Sequence, residues 1–310
     1  MVDNRQQWKA WLYLSPAIIL LLVFTVWPII NTVLMAFQNG YNANMAKIGV
    51  DFQFGIQNFI DVVSYGKFMS NLFNTMILCV ATVPVSTILA LLIAVALNSI
   101  GPLQKTLQTI FFLPYVTNSI AIGMVFAAMF NIIGLRNGMA DTWGIVNNVI
   151  QAFGGEPINW INAGSEYWAN IVVMVVYIVW NALPFKILIL LGGLQSVNKQ
   201  YYDAAKVDGT PRWRVLTKIT VPLLSPMIAY VVITGFIGGF KEYSSIIGIF
   251  GDKMGPPHDA GQLNTMVGFI YDSLGTSSHG KASAAALILF GIILVVTMIN
   301  LQVSKKRVHF

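Results

Sequence analysis

The sequence predicts an all-α membrane protein with six transmembrane helices and both termini on the cytoplasmic side. Three observations lead there. Hydrophobic residues make up 56% of the 310-residue chain and charged residues only 10%, with a mean hydropathy of +0.70, which is more apolar surface than one soluble core of this length can cover. Six stretches, about 12–37, 71–98, 106–130, 168–194, 220–250 and 282–303, are apolar over the length that a bilayer core of about 30 Å asks of a helix. Lastly, the basic residues sort to one side. Arg5, Lys9, Lys105, Lys199, Lys206, Arg212, Arg214, Lys218, Lys305, Lys306 and Arg307 share the face that holds both chain ends, against Lys47, Lys67, Arg136, Lys253 and Lys281 in the longer loops opposite. An excess of Lys and Arg marks the cytoplasmic side.

The spans are helical because lipid offers no partner to an unpaired backbone group, and a barrel would show alternating strands, which are absent. In order, residues 1–10 form a polar, basic lead. The first span holds Pro16 and Trp27-Pro28 and ends in Ala36-Phe37-Gln38 without a cleavage pattern, so it is expected to be an anchor and not a signal segment. An outer loop over 38–70 carries Tyr41, Phe52, Phe54 and Phe59. The second span opens at Asn71 and Asn74-Thr75 and contains the lone Cys79, which excludes a disulfide framework or thiolate cluster within one chain and is expected to be a small packing residue. A tight inner turn at 98–102 includes Gly101-Pro102.

Pro114 is expected to kink the third span. The segment 131–167, too long for a plain connector, is expected to fold as short surface helices. The fourth span ends in Trp180-Asn181-Ala182-Leu183-Pro184-Phe185, the fifth passes Gly235, Gly238 and Gly239 to reach Lys241-Glu242, and a last outer loop, 251–281, precedes the sixth. The organisation expected is residues 1–70 as lead, first span and outer loop, 71–303 as a core of five spans with an inner segment at 196–219, and 304–310 as a cytoplasmic tail.

That inner segment reads Asp203-Ala204-Ala205-Lys206-Val207-Asp208-Gly209-Thr210-Pro211-Arg212-Trp213-Arg214 and closes at Ile219-Thr220-Val221-Pro222. Its chemistry predicts a short helix around 199–208, a turn at Gly209, where glycine permits positive φ, and a second helical piece over 212–218 that Pro211 can begin. A basic, jointed element between spans is a docking element and not a catalytic one. The segment resembles the cytoplasmic coupling loop of bacterial ATP-binding-cassette importer permeases, specifically the carbohydrate branch that includes the maltose and glycerol-phosphate permeases. Asp203 stands where that family usually has Glu. Phe54-Gly55-Ile56-Gln57-Asn58-Phe59 and Gly280-Lys281-Ala282-Ser283-Ala284 are similar to further family patterns, and the resemblance covers nearly the whole chain in its shorter, six-span form.

The resemblance implies that Asp203, Ala204, Ala205, Asp208 and Gly209 seat a coupling helix in a separate ATPase subunit. It also implies a second, homologous permease subunit, two ATPases, an external solute-binding protein, a carbohydrate substrate and a bacterial inner or plasma membrane setting among lipid. ATP and magnesium belong to the ATPase, so no cofactor is expected in this chain.

Charges inside spans are costly and mark a pathway by default, which singles out Lys186, Lys241 and Glu242. By resemblance, Asn181, Phe185, Gly235, Gly238, Gly239 and Glu242 fall on the family's substrate-site faces. Amides and carboxylates can bond sugar hydroxyls and aromatic rings can stack on sugar faces. The alternative for the glycines is close helix packing, Gly235 with Gly239. Two intramembrane lysines also leave an anionic saccharide open.

Gly275-Thr276-Ser277-Ser278-His279-Gly280-Lys281 mimics a nucleotide-phosphate loop, but Ala282 stands where Ser or Thr must hold magnesium and no strand is expected before it. His258, His279 and His309 have no ligand spacing, no catalytic constellation is visible, and the net charge of +6 is spread out as an orientation signal, not gathered as a nucleic-acid face. A secondary transporter or channel acting without an ATPase is the rival class, and it would be expected to show paired broken helices and inverted repeats.

Overall fold

A computed structural model describes residues 7–100, 104–136 and 139–307. Arg5, the Gly101-Pro102 turn and His309 lie outside the described residues. Among those described, four helices are long and apolar enough to cross a membrane: Trp8–Phe37, Phe68–Ser99, Tyr167–Ser196 and His279–Lys305. Two further pairs pass the same test only together, Thr106–Val116 with Ser119–Phe130, bent by 98°, and Arg212–Leu223 with Ser225–Gly239, bent by 72°. The number of candidate spans is therefore four, or six if each bent pair counts as one.

The chain falls into two compact units, one of Met1–Met69 with Phe269–Phe290 and the other of Ser70–Gly268 with Gly291–Phe310. In the first unit, α1 (Gln7–Leu21) passes through a π-helical turn at Leu22–Val26 into α2 (Trp27–Phe37), where Pro28 sits in the first turn and needs no donor. Short helices α3 (Ala43–Lys47) and α4 (Gln57–Val63) follow. Asn58, fully buried, organises this unit. Its amide donates to the carbonyls of Ala36 at 3.0 Å and Gln38 at 2.7 Å, and its oxygen accepts from Gly40 N at 3.1 Å, so one side chain satisfies the unpaired C-terminal turn of α2. Gly280 closes over the same amide, since a Cβ there would lie 2.7 Å from Asn58 Nδ2, and Lys281 pairs with Asp61 at 3.0 Å. Hydrogen bonding from Gln57 and from Lys281 holds the Asp61 carboxyl below its ordinary value.

In the second unit, α5 (Phe68–Ser99) and α9 (Tyr167–Ser196) are the long central helices. One core joins Leu78, Phe126, Val173, Met174, Tyr177 and Ile246, and another joins Ala90, Ala94, Ile187, Leu190, Leu191 and Leu224. The third expected span is two helices, α6 (Gln104–Val116) and α7 (Ser119–Phe130), and it breaks three residues beyond Pro114. Thr117 turns its N–H and hydroxyl onto the Pro114 carbonyl, and Asn118 then caps α7 by accepting from Ile120 N at 2.9 Å and Ala121 N at 3.3 Å. The capping asparagine makes this a broken helix where the sequence alone predicts a kink.

The segment after α7 departs from the short helices expected over 131–167 and adds one small hairpin to an otherwise helical fold. A hairpin of β1 (Ile132–Arg136) and β2 (Met139–Trp143) pairs Ile132 with Trp143 and Arg136 with Met139, and only α8 (Ile145–Ala152) is helical as expected. Ile132-Ile133 and Thr142-Trp143 are strand formers, and Asn137-Gly138 between them is a hairpin dipeptide in the sequence.

Beyond α9 come α10 (Gln200–Val207), α11 (Arg212–Val215), a π-helical turn at Leu216–Thr220, α12 (Val221–Leu223) and α13 (Ser225–Gly239). The fifth expected span stops at Gly239 and does not run on to 250. Lys241 and Glu242 lie in a turn, Lys241 N donating to Gly238 O at 2.9 Å, before α14 (Ser244–Phe250) begins. There α14 crosses α7 backbone to backbone, since a Cβ on Gly123 would lie 2.6 Å from the Gly248 Cα. A single 3-10 turn at Gly251–Lys253, α15 (Met266–Gly275) and α16 (His279–Arg307) complete the chain.

Candidate functional site

Between α5, α6, α9 and α13 the second unit encloses a cavity of about 280 Å³. Seven of the residues singled out in the sequence line it together: Asn181, Phe185, Lys186, Gly235, Gly238, Gly239 and Glu242. Lys241 does not; it is exposed on the turn after α13. Leaving the helix at Gly239 is what separates two consecutive charged residues. The Glu242 carboxylate accepts from Ser245 N at 3.2 Å at the start of α14, and the Glu242 backbone carbonyl accepts from the Thr265 hydroxyl at 3.0 Å.

The three glycines serve different ends. A Cβ on Gly239 would lie 2.8 Å from the Cys79 Sγ, so this position lets α13 close on α5. At Gly238 a Cβ would meet nothing within 4 Å, so this position faces open space. Gly235 stands between these cases, its Cβ position 3.1 Å from Val83 Cγ1 and 3.2 Å from Lys186 Nζ. Close packing and cavity space are thus both present, at different residues.

Lys186, only 4% exposed, is the strongest local charge. Its Nζ donates to Ser86 Oγ at 2.7 Å, Thr87 Oγ1 at 3.0 Å and the Val83 carbonyl at 3.2 Å. Those hydroxyls donate in turn to carbonyls one helical turn back, Thr87 to Val83 O at 2.7 Å and Ser86 to Thr82 O. An ammonium has three donors, and all three are engaged across the α5–α9 interface. Lys186 is therefore a strut between helices, its charge dispersed over α5, and has no donor left for a solute. The Asn181 amide, in contrast, is half-buried on the cavity wall and has no hydrogen-bond partner among the described residues. Phe185 stacks on Tyr115 of α6, centroids 5.8 Å apart and planes 19° apart, which sets an aromatic face beside the amide.

Tyr115, Thr82, Ser86 and Thr234 complete the polar lining and were not singled out in the sequence. The signal was present in part, since Thr82 and Ser86 recur four apart within the apolar middle of α5 and so share one face.

The segment 196–219 folds as its residue types predict. Helix α10 ends at Val207, Gly209 takes φ +65°, and Pro211 with ψ 145° precedes α11. Thr210 N donates to Ala205 O at 2.9 Å, closing the helix end around the glycine. Ala205 is buried, whereas Asp203, Ala204, Asp208 and Gly209 are exposed, and beside them Val207 is 88% exposed.

The phosphate-loop mimic is a helix end and a turn, with α15 before it and no strand. His279 begins α16, and His258 Nδ1 accepts from Gly164 N at 3.0 Å. Among the described residues no three His, Cys, Asp or Glu side chains converge as a metal site.

Known proteins are similar to this chain over most of its length. The lactose transport system permease protein LacF of Rhizobium radiobacter is 29% identical over 94% of this chain and 91% of its own. The arabinooligosaccharides transport system permease protein AraP of Bacillus subtilis is 29% identical over 95% and 88%, and the trehalose/maltose transport system permease protein MalF of Thermococcus litoralis is 27% identical over 98% and 96%. These relatives are permease components of transport systems rather than enzymes. The crystal structure of a bacterial ABC transporter involved in the import of the acidic polysaccharide alginate contains a chain that shares the fold with a TM-score of 0.79, at 22% identity over 98% of this chain and 97% of that one. Residues 86–309 match the family described as the binding-protein-dependent transport system inner membrane component, and a match over that much of the chain makes this protein a member of that family.

Proposed function

We propose that this chain is the membrane-spanning permease subunit of an ATP-binding-cassette importer that takes up a carbohydrate, an oligosaccharide or related polar solute delivered by a binding protein. The observation that carries the proposal is the cavity, which gathers a free amide at Asn181, a carboxylate at Glu242 and a stacked aromatic pair at Phe185 and Tyr115 between the helices that flank the docking segment. Such a set offers hydrogen bonds to hydroxyls and a flat apolar face to a sugar ring. Full engagement of the Lys186 ammonium favours a neutral sugar over an anionic one.

In this proposal each bent helix pair counts as one span, giving six with both ends cytoplasmic in a bacterial inner or plasma membrane, as the distribution of basic residues supports. Helix α10 is the coupling helix, Asp203, Ala204, Asp208 and Gly209 facing a partner ATPase and Ala205 anchoring it inward. A second permease subunit completes the pathway. ATP and magnesium bind the two ATPases, and this chain carries no cofactor. Closure of the ATPases draws α10 inward, opens the pathway outward to the docked binding protein, and hydrolysis returns it inward.

The test is uptake into proteoliposomes holding the chain with its co-purifying subunits and a radiolabelled oligosaccharide retained by the co-purified binding protein. Uptake is expected to need internal ATP and to fall about ten-fold in Asn181→Ala, the worth of one well-placed hydrogen bond. Transport that persists without the ATPase would make the chain a carrier or channel and end the proposal.

A further inference from the structure

A second cavity, of about 860 Å³, lies in the same unit between the last turn of α5, the end of α9 and the segment that follows α10. Its cationic lining is Lys206 and Arg212, its polar lining includes Asn98, Ser99 and Thr210, and no carboxylate lines it. Asp203 meets Lys206 at 3.7 Å where both side chains are largely in solvent, at 68% and 81% exposure, so that pair is screened and leaves the cation available. Asp208 is exposed on the same segment and is not part of the wall.

The helix leaving the cavity, Arg212–Leu223, makes 72° with Ser225–Gly239. If the latter crosses the bilayer, the former lies near the bilayer plane. It sets Trp213, 71% exposed, between Arg212 and Arg214, the aromatic and basic pairing of a membrane interface. We infer that this cavity binds the phosphodiester headgroup of an anionic phospholipid of the inner leaflet, with Lys206 and Arg212 as counter-charges and Val95, Leu194, Val215 and Leu216 against the glycerol and acyl root. A space this large with an apolar wall suits an amphiphile better than a lone phosphate, and basic pockets at the cytoplasmic ends of spans take such headgroups. The lipid would sit directly behind α10 and bias its position. The inference rests on the sidedness given in the proposed function.

The experiment uses the full chain with its co-purifying subunits in neutral detergent, dihexanoyl phosphatidylglycerol as probe, dihexanoyl phosphatidylcholine and inorganic phosphate as comparison arms, and native mass spectrometry as readout. Phosphatidylglycerol is expected to bind in preference to phosphatidylcholine and to resist inorganic phosphate. Lys206→Gln should weaken it about five-fold, and Lys206→Gln with Arg212→Gln about thirty-fold. Lys199→Gln with Lys218→Gln removes the same charge outside the cavity wall and should change binding by less than about two-fold. Persistent burial of Cys79 against a thiol dye reports that each variant is folded. Equal binding of the two lipids, displacement by phosphate, or equal loss in the outer pair overturns the inference. Binding in detergent is independent of sidedness, so labelling of residues 199–218 from outside intact cells would sink the coupling proposal without altering this measurement.

Discussion

Removing the two hydroxyls that hold Lys186 is expected to cost far more than removing Lys186 itself. In Ser86→Ala with Thr87→Val the buried ammonium keeps only the Val83 carbonyl at 3.2 Å and loses acceptors at 2.7 and 3.0 Å. Hydrogen bonds to charged groups contribute about 1.5–3 kcal/mol each, while neutral bonds between membrane helices average nearer 0.6 kcal/mol. A loss of about 3 kcal/mol for the pair follows. In Lys186→Met an apolar chain of similar length fills the site, and the hydroxyls keep their own bonds to Val83 and Thr82 carbonyls. Removing the charge also removes its desolvation cost, so this change should lie within about 1 kcal/mol of the parent. The triple variant should return to within the same margin. Cys79, the lone thiol and fully buried beside Gly239, supplies the assay, since a thiol-reactive dye reports its exposure as the purified protein is heated. If Lys186→Met melted as low as the hydroxyl pair, or the triple variant failed to recover, the strut would be wrong and Lys186 would be acting on something in the cavity.

Gly209→Pro cannot adopt φ +65°, because the ring holds φ near −65°. Membrane levels should match the parent while uptake drops at least about ten-fold, for a break in coupling of about 1.4 kcal/mol or more; normal uptake refutes the docking role. Gly123→Ala drives a methyl into the Gly248 backbone and should destabilise by about 1–3 kcal/mol. Gly238→Ala meets nothing, so its melting should be unchanged, with any deficit confined to apparent affinity for the sugar. The Asp61 carboxyl, held low by Gln57 and Lys281, is charged in the folded protein at pH values where the unfolded chain has begun to bind its proton. Its contribution is complete above its ordinary value of 3.8 and is lost as pH falls through the depressed one. Melting curves of the parent and Asp61→Asn should therefore differ above pH 3.8 and converge only once the pH has fallen through the depressed value, and parallel curves throughout would show that the pair with Lys281 does nothing.

Six apolar stretches, the jointed helix around Gly209 and the membrane setting were legible because each depends on local composition: helices in lipid must satisfy their own backbone, and glycine at a helix end needs no distant partner. The hairpin at 132–143 was also legible in principle, through Asn137-Gly138, but the apolar run around it masked the signal. What the chain alone could not reveal arises from contacts far apart in sequence. Lys186 reads as a stray intramembrane charge until α5 brings Ser86 and Thr87 to it from about 100 residues away. Lys241 and Glu242 read as charges inside the fifth span until the chain turns out of the helix after Gly239. Hydropathy and turn chemistry thus determined by themselves which segments are apolar enough to enter a membrane and where α10 ends. Tertiary packing alone decided which polar groups are consumed in holding helices together and which, such as Asn181, are left to face a cavity, because satisfying a buried donor requires a partner that only the folded chain can bring within reach.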